Sequence, residues 1–473
     1  MNPAAGVLVP VALAIAVAFS SLPTYAQEAG RDWEGEYGIV DISAEEMGDI
    51  AAAEEADARK LPDWIGGFFE LQRRQTSQRN DHPLNPEGKL LDFAGERSVA
   101  LLNVKLDPQL SERWRFVANS HLRYRKTDLD SEARHYLLEG YLQWRNASQT
   151  AAFAIGRLLL EWGSGYRWNP VQLLLPDHDE HSDEIYEDEG QTMLFVEVSA
   201  APFTTTLLLA ELDERYSDRP GRYQAAFKLA LDLSAWDFAL FRHQATGRRA
   251  SGGLSFSGLL TDALEIHGEW AGSYRKKREV PRKASEGVQT SEFYLPARYE
   301  YAASPDDGSS LLREYLLGFQ YTFLTDMNLI CELYHTDHGY SDGEWNDILD
   351  GMEEAHRGDA WKNQEEPFAG ARGNPYAGFL KNGMKEVERG DLRRNYLFVR
   401  YHSGEFANSW SVEQVLIFNA DDSSRIQQSA LTYNWQDEWE IEGAVTLFQG
   451  KRDSEFGWNP NRHYYTVTFH LNY

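Results

Sequence analysis

The sequence predicts an all-β fold: a transmembrane antiparallel up-and-down barrel of 18 strands, with 16 as the alternative count. Three observations predict it. Residues 1–26 hold no charged side chain and contain an apolar run at 7–19, the pattern of an export signal cut ahead of Gln27. The last residues, Tyr465, Thr466, Val467, Thr468, Phe469, His470, Leu471, Asn472 and Tyr473, alternate apolar and polar and stop on an aromatic. Side chains along a strand point to opposite faces in turn, so this segment has one greasy face and one wet face. Such alternating segments recur along the chain, joined by short and long connections in turn.

The signal reading competes with a membrane anchor, but the apolar run falls short of the ~20 residues that a spanning helix needs. Residues 27–61 are acidic and rich in alanine. Ser43 and Glu46 fit a capping box, so 43–60 could form a short helix: a small plug, a periplasmic docking arm for a partner protein, or a solvated tail. The barrel is assigned to 62–473. Its strands are expected to begin near Gly66, Arg97, Glu112, Glu132, Thr150, Gln191, Thr204, Gly221, Trp236, Gly253, Ala263, Arg313, Met327, Arg393, Asn408, Arg425, Glu438 and Asn461. Every second connection is turn-like; the longest of the others are 161–190, 276–312 and 336–390. Short periplasmic turns and long outer loops are the habit of membrane barrels, which places the protein in the outer membrane of a Gram-negative cell.

Composition agrees with strands that meet lipid on one face only. The mean hydropathy is −0.55, yet 13% of residues are aromatic, with 14 Trp and 24 Tyr available for interfacial girdles. A soluble aromatic-rich β-protein is the competing class. The single cysteine, Cys331, can form no internal disulfide and lies too far from the signal for a lipid anchor; its phase with Leu329 and Leu333 puts it on the lipid face. A net charge of −28 argues against nucleic acid or anionic lipid as a general partner.

A barrel of this size encloses an aqueous lumen. If the apolar phase faces lipid, the opposite phase lines the pore with Lys105, Arg115, Arg123, Arg125, Arg145 and Arg157 on the early strands, and with Arg394 and Arg400 later. Glu197, Glu265, Glu269, Glu332, Glu440 and Glu442 form a facing acidic wall. Fixed charges at an aqueous constriction orient polar solutes and set ion preference. The segment from Glu161 through Trp162, Tyr166, Arg167 and Trp168 to Pro170 is expected to fold inward as a constriction loop, since its glycines permit sharp turns. Eight acids follow within 177–189; they are either a solvated loop or hard-oxygen ligands for a divalent cation that bridges lipopolysaccharide. No other cofactor is expected. No nucleophile elbow, zinc-helix motif or phosphate loop occurs, so no enzyme is read here.

With Gly156-Arg157, Glu161-Trp162-Gly163, Trp168-Asn169-Pro170 and the terminal Tyr473, the chain resembles the large porin-like outer-membrane barrels of Gram-negative bacteria, loosely the group that contains the alginate export family. That resemblance implies a conduit rich in arginine for an anionic polymer, with Arg115, Arg123, Arg125, Arg145 and Arg157 in that part. The acidic wall departs from the pattern. The functional expectation is a passive channel for small hydrophilic or anionic solutes. The alternative is a polysaccharide exporter, or the barrel of an envelope complex that holds a periplasmic partner through 27–61.

Overall fold

The computed structural model describes residues 62–79, 82–174, 190–211, 223–246, 248–274, 278–289, 294–302, 310–362, 374–388, 390–407, 409–435 and 438–473. The expected leader, the arm at 27–61 and the acidic stretch 177–189 lie outside them.

Alternation builds long strands: β1 Ile65–Gln78, β2 Glu96–Leu106, β3 Trp114–Thr127, β4 Ser131–Arg145, β5 Ala151–Leu158 and β6 Gln191–Ala200. Then follow β7 Phe203–Glu211, β8 Tyr223–Asp232, β9 Trp236–Ala245, β10 Ser251–Thr261 and β11 Leu264–Ser273. After an excursion of four short strands (β12 Val280–Ser285, β13 Val288–Gln289, β14 Tyr294–Leu295, β15 Arg298–Ala302) come β16 Leu312–Thr322 and β17 Asn328–Thr336. The last five are β18 Asn395–His402, β19 Trp410–Asn419, β20 Arg425–Trp435, β21 Trp439–Gln449 and β22 Asn461–Asn472. The long strands form one antiparallel sheet of 18, and β1 pairs with both β2 and β22, so the sheet closes on itself. Closure leaves no unpaired edge, the condition for a β-structure to stand in lipid.

The side-chain phase sorts inside from outside. Leu122, Ile155, Leu207, Leu254, Leu317, Leu333 and Val467 are large, apolar and exposed, and alternate with buried neighbours. Their phase therefore faces out. Among the described residues, the outward positions of the strand halves next to the short turns carry no charge. A girdle of Trp114, Trp144, Trp236, Trp410, Trp435 and Trp439 closes that apolar belt at the short-turn end. Among the described residues no helix is long and apolar enough to cross a membrane.

Several long-loop segments fold together. Residues 336–390 were expected as one long connection but contain helices α1 (Asp342–His356) and α2 (Pro375–Glu388). α1 starts on a capping box in which Ser341 and Glu344 satisfy each other's backbone N–H groups. Trp345 and Ile348 of α1, Phe379, Leu380 and Met384 of α2, Tyr299 of β15, Leu84 and Trp458 are buried in one apolar cluster. Trp345 stacks on Trp458 at 4.3 Å. Four separate connections thus share one core at the outer end.

Candidate functional site: a strap across the lumen

The connection after β5 does not stay outside. Residues 159–174 turn into the lumen, and an irregular backbone there needs partners for its N–H groups. Two inward carboxylates supply them. Glu269 on β11 accepts from the backbone N–H of Ser164 at 2.5 Å, Gly165 at 2.9 Å and Val171 at 3.2 Å. Glu332 on β17 accepts from Tyr166 N–H at 2.6 Å and Arg167 N–H at 2.9 Å, and lies 3.0 Å from His267 Nε2. Hydrogen bonds to a carboxylate are about twice as strong as neutral ones, so five backbone contacts on two residues hold the strap firmly.

Two glycines make the arrangement feasible. Gly318 lies on β16 between His267 and Glu332 in one hydrogen-bonded row; a Cβ there would sit 2.3 Å from His267 Nε2. Gly163 has φ +118°, where a side chain is strained, and a Cβ would meet Asn169 Oδ1 at 2.2 Å.

Side chains finish the attachment. Trp168 stacks on Tyr334 at 4.7 Å and donates its Nε1–H to Asp391 at 2.8 Å. Trp162 packs on Phe241 at 5.6 Å, and the Arg167 guanidinium lies 5.4 Å from the Trp168 ring. The strap covers inward residues of β5–β11, such as Ala154, Met193, Leu208 and Phe241, and joins an aromatic group on β17–β18. The expected constriction residues therefore divide. Trp162, Arg167 and Trp168 are buried anchors, whereas Tyr166 stays 44% exposed, with its hydroxyl donating to Gln320.

Glu269 and Glu332 take the inward phase, but neither presents a free charge to a solute. That corrects the facing acidic wall: at mid-height these positions are spent on the strap, because buried N–H groups required acceptors. Glu197, Glu265, Glu440 and Glu442 also take the inward phase, nearer the short turns. Glu197 accepts from the Thr206 hydroxyl at 3.3 Å. Arg400 points inward and pairs with Glu413 at 2.8 Å through Nε.

Among the basic candidates, Lys105, Arg115, Arg123, Arg125 and Arg145 take the inward phase. Arg115 is tied to Asp107 in the adjoining turn, which holds the Asp107 carboxyl below its ordinary range. Two placements are corrected. Arg157 pairs in register with Gly140 on the outward phase of Ile155, and its Nη1 donates to Leu137 O at 2.9 Å. Within β5 itself Phe153, Ile155 and Arg157 share one phase in an unbroken register with β4, so the strand's own alternation already puts this arginine outward. Arg394 lies beyond the start of β18, donating to Gly339 O at 3.1 Å among the outer loops.

The structure adds three arginines that the sequence reading missed: Arg74, Arg97 and Arg134. Arg74 and Arg97 are register partners, as are Arg123 and Arg134. Arg74 lies 3.9 Å over Tyr464 and Arg123 5.1 Å over Tyr136, contacts that favour a guanidinium in a partly dry setting. Asp130 and Glu132 answer part of this charge, at 3.2 Å and 3.5 Å from Arg125. The signal for Arg74 was present in β1, opposite in phase to Phe69 and Leu71. The outer half of β1–β4 is thus a basic wall, in a sector away from the main footprint of the strap.

A closed barrel with an uncharged outward belt, a tryptophan girdle and a polar, strapped lumen defines a transmembrane barrel of the porin-like, outer-membrane class. In architecture the chain is similar to OccK5 (OpdH) of Pseudomonas aeruginosa, at 10% identity over 86% of this chain and 98% of that one, with a TM-score of 0.47. It is similar also to OccK11 (OpdR) of the same organism, at 10% identity over 86% and 96% with a TM-score of 0.46. A third is Wzi, an outer-membrane carbohydrate-binding β-barrel involved in group 1 capsule assembly in Escherichia coli, at 10% identity over 86% and 84% with a TM-score of 0.44. No protein-family model and no curated protein matches the chain.

Proposed function

We propose that this barrel is a passive diffusion channel for small hydrophilic anionic solutes, running along the arginine-bearing sector that the strap leaves on β1–β4. The observation that carries the reading is the strap itself. An 18-strand lumen is wide enough for an aqueous channel, and a segment pinned by Glu269 and Glu332 narrows it. What remains beside β1–β4 is lined by Arg74, Arg97, Arg123, Arg125 and Arg134. Low-dielectric walls focus their field, so anions are concentrated and oriented there with no energy input. Toward the short-turn end Glu70, Glu440 and Glu442 add a local negative field, which favours solutes carrying both signs.

The test is single-channel recording in planar bilayers under a salt gradient. Wild type should conduct steadily and prefer the anion, and Arg97→Glu with Arg123→Glu should move the reversal potential toward cation preference. A barrel that never conducts, or a preference unchanged by the double reversal, refutes the assignment.

A further inference from the structure

We infer that the outward face of β9–β16, just above the apolar belt, binds a phosphate of the outer-leaflet glycolipid, lipid A. The inference rests on the membrane placement of the barrel and is independent of what passes through it.

Arg242 on β9 pairs in register with Gly252 on β10, Gly252 with Gly272 on β11, and Gly272 with Arg313 on β16. These four residues form one row across four strands, all on the outward phase. Strands lie about 4.8 Å apart, so the two arginine Cα atoms stand roughly 14 Å from each other, and the two row positions between them carry no side chain of their own. The next outward row toward the membrane centre is Leu240, Leu254, Trp270 and Tyr315, again paired in sequence. All four are 41–53% exposed. The row below that is Phe238, Phe256, Gly268 and Leu317.

This is an amphipathic ladder of one particular order. Acyl chains lie on the leucine and aromatic rungs, and a headgroup fits over Gly252, while Leu311 and Trp270 lie against Gly272. The flanking guanidiniums reach its phosphate, with the planar donor geometry that arginine offers to phosphate oxygens. Arg242 has no hydrogen-bond or ion-pair partner among the described residues. An outward arginine immediately above lipid-exposed leucines calls for an anion at the interface, where its long stem lets the charge snorkel. Asp337 takes the Nε of Arg313 at 3.0 Å, and the Nη groups of Arg313 have no other hydrogen-bond partner among the described residues. Arg248 and Arg249 in the adjoining turn add positive charge, Arg249 lying 5.4 Å from the Tyr274 ring. The chain is strongly acidic as a whole, and this local reversal of sign is what would select a phosphorylated lipid from a repelled population.

The test is native mass spectrometry of the full chain in detergent with purified diphosphoryl lipid A or its dephosphorylated form. Wild type should retain the phosphorylated lipid at least tenfold more tightly. Arg242→Ala with Arg313→Ala should lose that preference, and Arg242→Lys with Arg313→Lys should keep most of it. Heat-modifiable gel mobility reports whether each variant has a closed barrel. Equal retention of both lipids by wild type overturns the inference whatever the variants do, and so does an alanine variant that binds as wild type does. Neither result touches conductance, so a failure here is separate from a failure of the channel reading.

Discussion

Single residues at the outer end carry a pH response. Glu455, in the connection between β21 and β22, is fully buried. Its carboxyl accepts from Leu392 N–H and from the Tyr396 hydroxyl, each at 2.8 Å, and from Asn419 at 2.5 Å. Burial, with Asp391 and Asp422 nearby, pushes its pKa up to about 8 from an ordinary 4.5. Between those values the folded chain holds a proton that the unfolded chain has released. Stability therefore falls as pH rises from about 4.5, and the loss levels off above about 8. Amide exchange across 450–460 should accelerate from pH 5 to pH 9 after correction for intrinsic rates. Glu455→Gln, which stays neutral, should flatten that trend; a variant with the same slope as wild type would assign the effect to other groups.

At the scale of the element, the strap is a loop whose central backbone N–H groups are answered mainly by carboxylates on two strands, β11 and β17. Replacing Glu332 by Gln retains shape and one acceptor but removes the charge and puts an amide against donors. Each charged hydrogen bond so weakened contributes about 1.5–3 kcal/mol, enough to let the strap detach while the barrel stays closed. Glu269→Gln with Glu332→Gln should raise single-channel conductance and its noise, with unchanged heat-modifiable mobility. Identical conductance would mean that the aromatic anchors Trp162 and Trp168 hold the strap without the carboxylates. The outer helices follow a different rule: their capping and their apolar faces against Leu84 and Trp458 are satisfied by other loops, not by the barrel wall.

For the whole molecule, membrane placement follows from the arrangement of outward side chains. Leu333 lies on the outward phase of β17 at mid-belt, 56% exposed. Leu333→Arg should cost roughly 2–4 kcal/mol, as charges do on the lipid face near the midplane, against ~0–1 kcal/mol close to the interface. Urea-dependent folding into phospholipid vesicles measures this directly; an arginine tolerated at Leu333 would contradict the belt. Outward arginines in the structure respect the gradient, since Arg242 and Arg313 stand toward the long-loop end.

Strand number and most strand starts were legible because alternation is local: a period of two needs only one strand's residues to declare it. Leu122 with Tyr124, or Val467 beside Thr466, reveal a face without reference to any partner. The inward phase of Lys105, Arg115 and Arg123 follows from the same periodicity. Arg157 is misplaced when its charge is read as a sign of the lumen, although it keeps the phase of Phe153 and Ile155. Periodicity also could not separate a glutamate that faces solute from one that faces a strap, since Glu265 and Glu269 share a phase and differ only in what folds against them. Helix α1 carried a readable capping box at Ser341 and Glu344, yet its apolar face acquires meaning only beside Trp458, more than a hundred residues away in sequence. The sequence by itself determined a membrane barrel and its two faces, because that information lies in each strand. Only the tertiary structure decided which inward charges remain available, because closing the barrel brings β5, β11 and β17 around one loop and lets burial choose among them.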